Sequence, residues 1–242
     1  MQMQSHSGIN LLFHENSSIL CSLKLAEKSE VLRDLICFTD DENEPIPMPA
    51  FVTKTKICDI MHMLESDSIS FMEKSKLQYL LEILKILDFL AITELFNDAL
   101  SFIHQQVTCD KCFEIFQMTF KSTIPCFNEI QQRSCNVMMD QLIAYYESNY
   151  LQEDIQDPYV AKYVIMTFNE IKLIINIKKE NSTIMKIILF KNWWQKNKIF
   201  HLKDDITEIL SSINEEACYI PRSKIIFMRK IRDQILLEIE PH

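Results

Sequence analysis

Short apolar runs at "INLLF" (9–13) and "SILCSL" (18–23) flank the polar group "HENS", a pattern that predicts a hairpin. Leu25, Val31, Leu32, Leu35 and Ile36 then fall on one helical side from Ser29 onward, and Ser29 is a good N-cap. "TDDENEPIPMP" combines acidic residues with three prolines, which excludes regular helix and predicts an exposed loop entering an extended segment. Helical spacing resumes with Phe51, Ile57, Ile60, Met61 and Leu64. Ser75 is expected to open the strongest helix, whose apolar face holds Leu77, Leu80, Leu81, Leu84, Leu87 and Phe89. Thr93 is expected to cap the next one, through Leu95, Phe96, Ala99, Leu100 and Ile103.

The rest of the chain predicts helix. Thr108 is the expected N-cap of a segment burying Cys112, Phe113, Phe116 and Phe120, and a second buries Phe127, Ile130, Cys135, Met138, Leu142 and Tyr145. Beyond the acidic, linker-like "QEDIQDP" come "FNEIKLIINI", "STIMKIILFKNWWQKN", "DDITEILSSI" and "RSKIIFMRKIRDQILLEI", short helices with polar breaks and no fixed repeat period.

Composition narrows the function. The chain has 242 residues, 48% of them hydrophobic, which is enough for a core and fits two modules. Its single glycine, Gly8, argues against phosphate-cradling loops, dinucleotide fingerprints and nucleophile elbows, which need backbone positions that glycine occupies without strain. A net charge of -9 repels phosphate backbones and argues against nucleic acid as a partner. Lys172, Lys178, Lys179 and Lys186 cluster around one predicted helix and are expected to form a solvated face. The opening "MQMQSHSGIN" lacks the basic and apolar regions of a secretory signal, and runs such as "IKLIINI" are too short to span a bilayer. A cytoplasmic or nuclear location without a membrane is expected, with the eight cysteines mostly free thiols.

Candidate chemistry is thin. Cys109 and Cys112 have the spacing of a zinc or redox pair, yet no second tight pair accompanies them and no βαβ pattern surrounds them; a helix start with a buried thiol is the simpler reading. Asp40, Asp41, Glu42 and Glu44 lack the glycine and the terminal glutamate of a calcium loop. His14 and His62 have no partner that spacing nominates. No catalytic residue, metal or cofactor is therefore expected. Of Trp193 and Trp194, one is expected to anchor the core and the other to lie at its rim, where Trp194 could serve as a binding hot spot.

The order of these elements resembles a BTB/POZ domain. Leu25, Ala26, Ser29, Leu32 and Leu35 match its "L-A-x-x-S-x-x-[FL]-x-x-[LM]" helix, and Leu90, Ile92 and Leu95 match the "A-x-x-[LY]-x-I-x-x-L" run of its later helix pair. "EPIPMPAFVTKTKICDIMHMLES" is similar to the corresponding segment of Skp1, which shares this core, and "VTCDKCFEIFQMTFK" to "FKNWWQKN" resembles the helical BACK module that often follows BTB. The resemblance implies an α+β fold: a BTB/POZ-like core of short strands with helices over residues 1–106, then an all-helical BACK-like domain over 107–242. It further implies a non-enzymatic adaptor that binds a Cul3-type cullin and brings an unknown substrate protein to a ubiquitin ligase. The partner surface would involve Met48, Phe51, Met61, Leu90 and Ile92. Alternatives are a scaffold or assembly factor that keeps the fold without a cullin, and a Skp1-like F-box-binding subunit. The family's swapped homodimers carry a helix before the first strand and an aspartate at its start; here the lead is short and Asn10 stands there, so the features that would carry a homodimer are missing.

Overall fold

The computed structural model describes residues 9–38, 45–66, 68–120, 122, 124–148, 158–178, 182–199, 202–215 and 222–239. The acidic cluster at 40–44, residues 152–157 of the "QEDIQDP" connection, Lys179 and the first eight residues lie outside these. The chain divides into two compact units: residues 1–107 with 121–130, and residues 108–120 with 131–242. The described part is mostly helical, with one small sheet.

In the first unit, β1 (Ile9–Leu12) pairs antiparallel with β2 (Ser18–Cys21), and β3 (Ile46–Pro47) joins β1 in parallel, giving the order β2-β1-β3. The hairpin closes through Phe13 N to Ser17 O (2.9 Å) and Asn16 N to Phe13 O (3.0 Å). Asn16 takes the left-handed conformation (φ 54°), the position that lets a three-residue loop meet the twist of its strands. Helix α1 (Leu23–Lys28) stops at Ser29 and α2 (Glu30–Phe38) starts anew, with the Ser29 hydroxyl accepting from Leu32 N at 3.1 Å. Ser29 is thus a cap, as its residue type predicts. Leu25 and Leu32 are buried, whereas Leu35 and Ile36, expected on the buried side, are 37% and 40% exposed.

Helix α3 (Lys54–Glu65) buries Ile57, Ile60 and Met63, and α4 (Ser68–Lys74) follows. The sequence pattern gave no sign of α4, a helix of barely two turns with Met72 as its buried anchor. Ser75 does not open α5 (Leu77–Phe89): its hydroxyl donates to Phe71 O at 2.9 Å, closing α4 instead. α5 buries Leu80, Leu81, Ile83, Leu84, Ile86 and Leu87 and packs against α6 (Thr93–Gln106).

The second unit contains α7 (Cys112–Phe120), most of α8 (Phe127–Ser148), α9 (Pro158–Val164), α10 (Phe168–Ile175), α11 (Thr183–Asn197), α12 (Lys203–Glu215) and α13 (Arg222–Ile239). Thr167 and Glu170 form a capping box at the start of α10, with Thr167 N donating to Glu170 Oε2 at 2.7 Å. α11 is the buried centre, packed by α9, α10, α12 and α13. It buries Met185, Ile187, Leu189, Phe190 and both tryptophans, and Lys186 as well, so that lysine is no part of a solvated face. Lys172 stays near the surface, paired with Asp205 (3.2 Å) and Glu208 (3.5 Å).

Candidate protein-docking face

Helices α3 and α5 form a cross-linked surface in the first unit. A turn closed by Val52 N to Pro49 O (2.9 Å) leads into α3 and leaves Phe51 half-buried at its start. The Phe51 ring meets Phe89 edge-on, with centroids 5.3 Å apart and planes at 84°, while Lys85 Nζ sits 4.3 Å above the Phe51 ring. One turn further along α3, Lys56 pairs with Glu82 at 2.7 Å, and beyond it Asp59 accepts a hydrogen bond from the Tyr79 hydroxyl. As the chain advances from 51 through α3 to 59, its partners retreat from 89 to 79, so the two segments run antiparallel. Burial, and then the bond to Asp59, push the Tyr79 phenol well above its ordinary range.

Past the far end of this ladder lies a cleft of about 460 Å³ lined by His62, Ser66, Ser70, Phe71, Lys74 and Ser75. Its geometry does not supply a catalytic pair. Ser66 Oγ lies 3.5 Å from His62 Nε2 but donates to the His62 carbonyl at 2.6 Å, closing α3, and the Ser75 hydroxyl is likewise spent on a carbonyl. What the face offers is an aromatic edge contact and paired charges bridging α3 and α5.

The expected partner residues divide sharply. Phe51 and Met61 are partly exposed, whereas Met48, Leu90, Ile92 and Trp194, also expected at the partner surface, are buried. Leu90 and Ile92 flank a tight helix end in which Ile92 N bonds Leu87 O (3.0 Å) and Ala91 N bonds Asp88 O (3.1 Å), with Ala91 left-handed at φ 51°. That geometry draws both side chains inward. Trp194 is 1% exposed and donates through Nε1 to Glu238 at 3.1 Å, and Trp193 is 0% exposed and donates to Met166 O at 2.8 Å. Neither tryptophan is at a rim, because α13 packs on α11.

Phe51 and Met61 are not brought together either. Phe51 belongs to the α5 side, whereas Met61 shares a helical stripe with Lys54, which reaches Ser18 O on β2 (3.3 Å). The residues that sequence reasoning missed are Lys56, Asp59, Tyr79, Glu82 and Lys85. Nothing in one sequence pairs side chains across two helices, although their polar types at helix-surface positions mark them as outward.

Cysteines 21, 37, 58, 109, 112, 126 and 135 are free, and no group of three or more ligating side chains able to hold a metal occurs among the described residues. No helix among the described residues is long and apolar enough to cross a membrane. No family model matches the chain, and no curated protein matches it significantly.

Proposed function

We propose that this chain is a non-catalytic protein-interaction adaptor, a BTB/POZ-like docking unit followed by a BACK-like helical unit, serving as a substrate-adaptor subunit of a Cul3-type ubiquitin ligase. The observation that supports it most is the α3–α5 ladder, where Phe51, Lys85, Lys56, Glu82, Asp59 and Tyr79 make a prearranged surface. Prearrangement matters because a surface already ordered before binding loses little side-chain entropy on contact. The partner is another protein, and no cofactor takes part.

A second reading, a scaffold that keeps the fold without a cullin, is favoured by one specific finding. Of the five apolar side chains on which the cullin contact was expected to rest, Met48, Leu90 and Ile92 are buried, and only Phe51 and Met61 are partly exposed. Affinity purification of the full chain followed by mass spectrometry separates the two readings. Recovery of a cullin supports the ligase adaptor, and reproducible recovery of an unrelated assembly without a cullin supports the scaffold. A turnover assay in which the chain alone converts a small molecule would overturn both.

A further inference from the structure

Cys109 and Cys112 stand at the entrance to α7 in the second unit. Thr108 O accepts from both Lys111 N (3.1 Å) and Cys112 N (2.8 Å), so residues 108–112 form a helical turn that stacks the two cysteines one above the other. Cys109 is exposed and Cys112 is buried. The Cys112 thiol points back along the turn, with Sγ 3.4 Å from the Cys109 carbonyl. Gln141 on α8 joins the same corner: its Nε2 donates to Cys109 O at 2.6 Å and its Oε1 accepts from Cys112 Sγ at 3.6 Å. One side chain therefore holds both cysteines while they are reduced.

We propose that Cys109 and Cys112 form a modification site at which a small-molecule disulfide converts the pair to an intramolecular disulfide, loosening the Gln141 latch between the entrance of α7 and helix α8. The Cys109 thiolate attacks one sulfur of the small disulfide, forming a mixed disulfide and expelling one thiolate. Cys112 loses its proton and attacks the Cys109 sulfur, forming the Cys109–Cys112 bond and expelling the second thiolate. The protein dithiol is oxidised, and the small disulfide is reduced to two thiols that take up the two protons. The order of attack follows from exposure, since Cys109 alone of the two faces solvent. Burial pushes the Cys112 thiol up, which lowers its thiolate fraction, and the Lys162 charge beside it opposes that rise. Bond formation removes the S–H that Gln141 Oε1 accepts.

This site is independent of the adaptor reading, since it uses none of the α3–α5 face. Cys135 is the alternative disulfide partner, since Cys112 lies close enough to add to the rise of the Cys135 thiol. The test is incubation of the folded full chain with oxidised glutathione, followed by non-reducing peptide mapping of intact wild type and Cys109→Ser. The expected result is a Cys109–Cys112 linked peptide in wild type, reversed by a thiol reductant, and no disulfide at Cys112 in Cys109→Ser. In wild type, a Cys112–Cys135 bond, a stable glutathione adduct on Cys109 alone, or unmodified thiols at both positions would each overturn the proposal. Cys109→Ser alters an exposed residue, so its folding is checked directly by its unfolding midpoint.

Discussion

The Ser29 hydroxyl donates to the Leu90 carbonyl at 2.6 Å, across 61 residues of sequence, while accepting the Leu32 amide at 3.1 Å. One buried oxygen thus caps α2 and ties it to the end of α5. Ser29→Ala is expected to destabilise the chain by about 1–3 kcal/mol, because it removes the cap and strands a buried carbonyl. Urea unfolding of the two proteins measures this. A change within error would show that the hydroxyl is dispensable.

Ala91 occupies the left-handed position of a helix end that glycine ordinarily fills, and its Cβ sits unfavourably there. Ala91→Gly is expected to stabilise the chain, by about 1 kcal/mol at most, since relief of strain is partly offset by greater freedom of the unfolded chain. The urea midpoint should rise. A fall would mean that the methyl group contributes packing that outweighs its strain.

Burial pushes the thiols of Cys21 and Cys135 up to about 12 from an ordinary 9.0, with Cys58 and Cys112 respectively adding to the rise. Between these values the unfolded chain loses thiol protons that the folded chain keeps, so stability is full below pH 9 and falls as pH rises toward 12. Each fully buried thiol contributes a slope of up to about 1.4 kcal/mol per pH unit. Urea unfolding at about pH 8 and about pH 11 should show this alkaline loss, and Cys135→Ala should reduce the difference while lowering stability at about pH 8. An unchanged difference would show that Cys135 ionises alike in both states.

Local pattern carried much of the fold. The hairpin, the Ser29 cap, the α3 core residues Ile57 and Ile60, and the apolar face of α5 follow from residue type and spacing. The errors have physical causes. Leu35 and Ile36 are exposed although they share α2 and its apolar side with buried Leu32, because spacing marks an apolar stripe but not how far along it the core extends. Lys186 and Trp194 are buried because later helices cover α11 on several sides, which a lysine and a second tryptophan in sequence do not announce. The α3–α5 face was least legible. Its pairs, Phe51 with Phe89, Lys56 with Glu82 and Asp59 with Tyr79, are separated by 20 or more residues and arise only when α3 and α5 pack.

Titration of the purified chain with the N-terminal region of a Cul3-type cullin, alongside Phe51→Ala with its unfolding midpoint as the folding check, tests the account most directly. The prediction is binding at or below the order of tens of micromolar, weakened about tenfold by Phe51→Ala, since a half-buried aromatic anchor is worth about 1.4 kcal/mol or more. No binding at that concentration by the folded wild-type chain would contradict it.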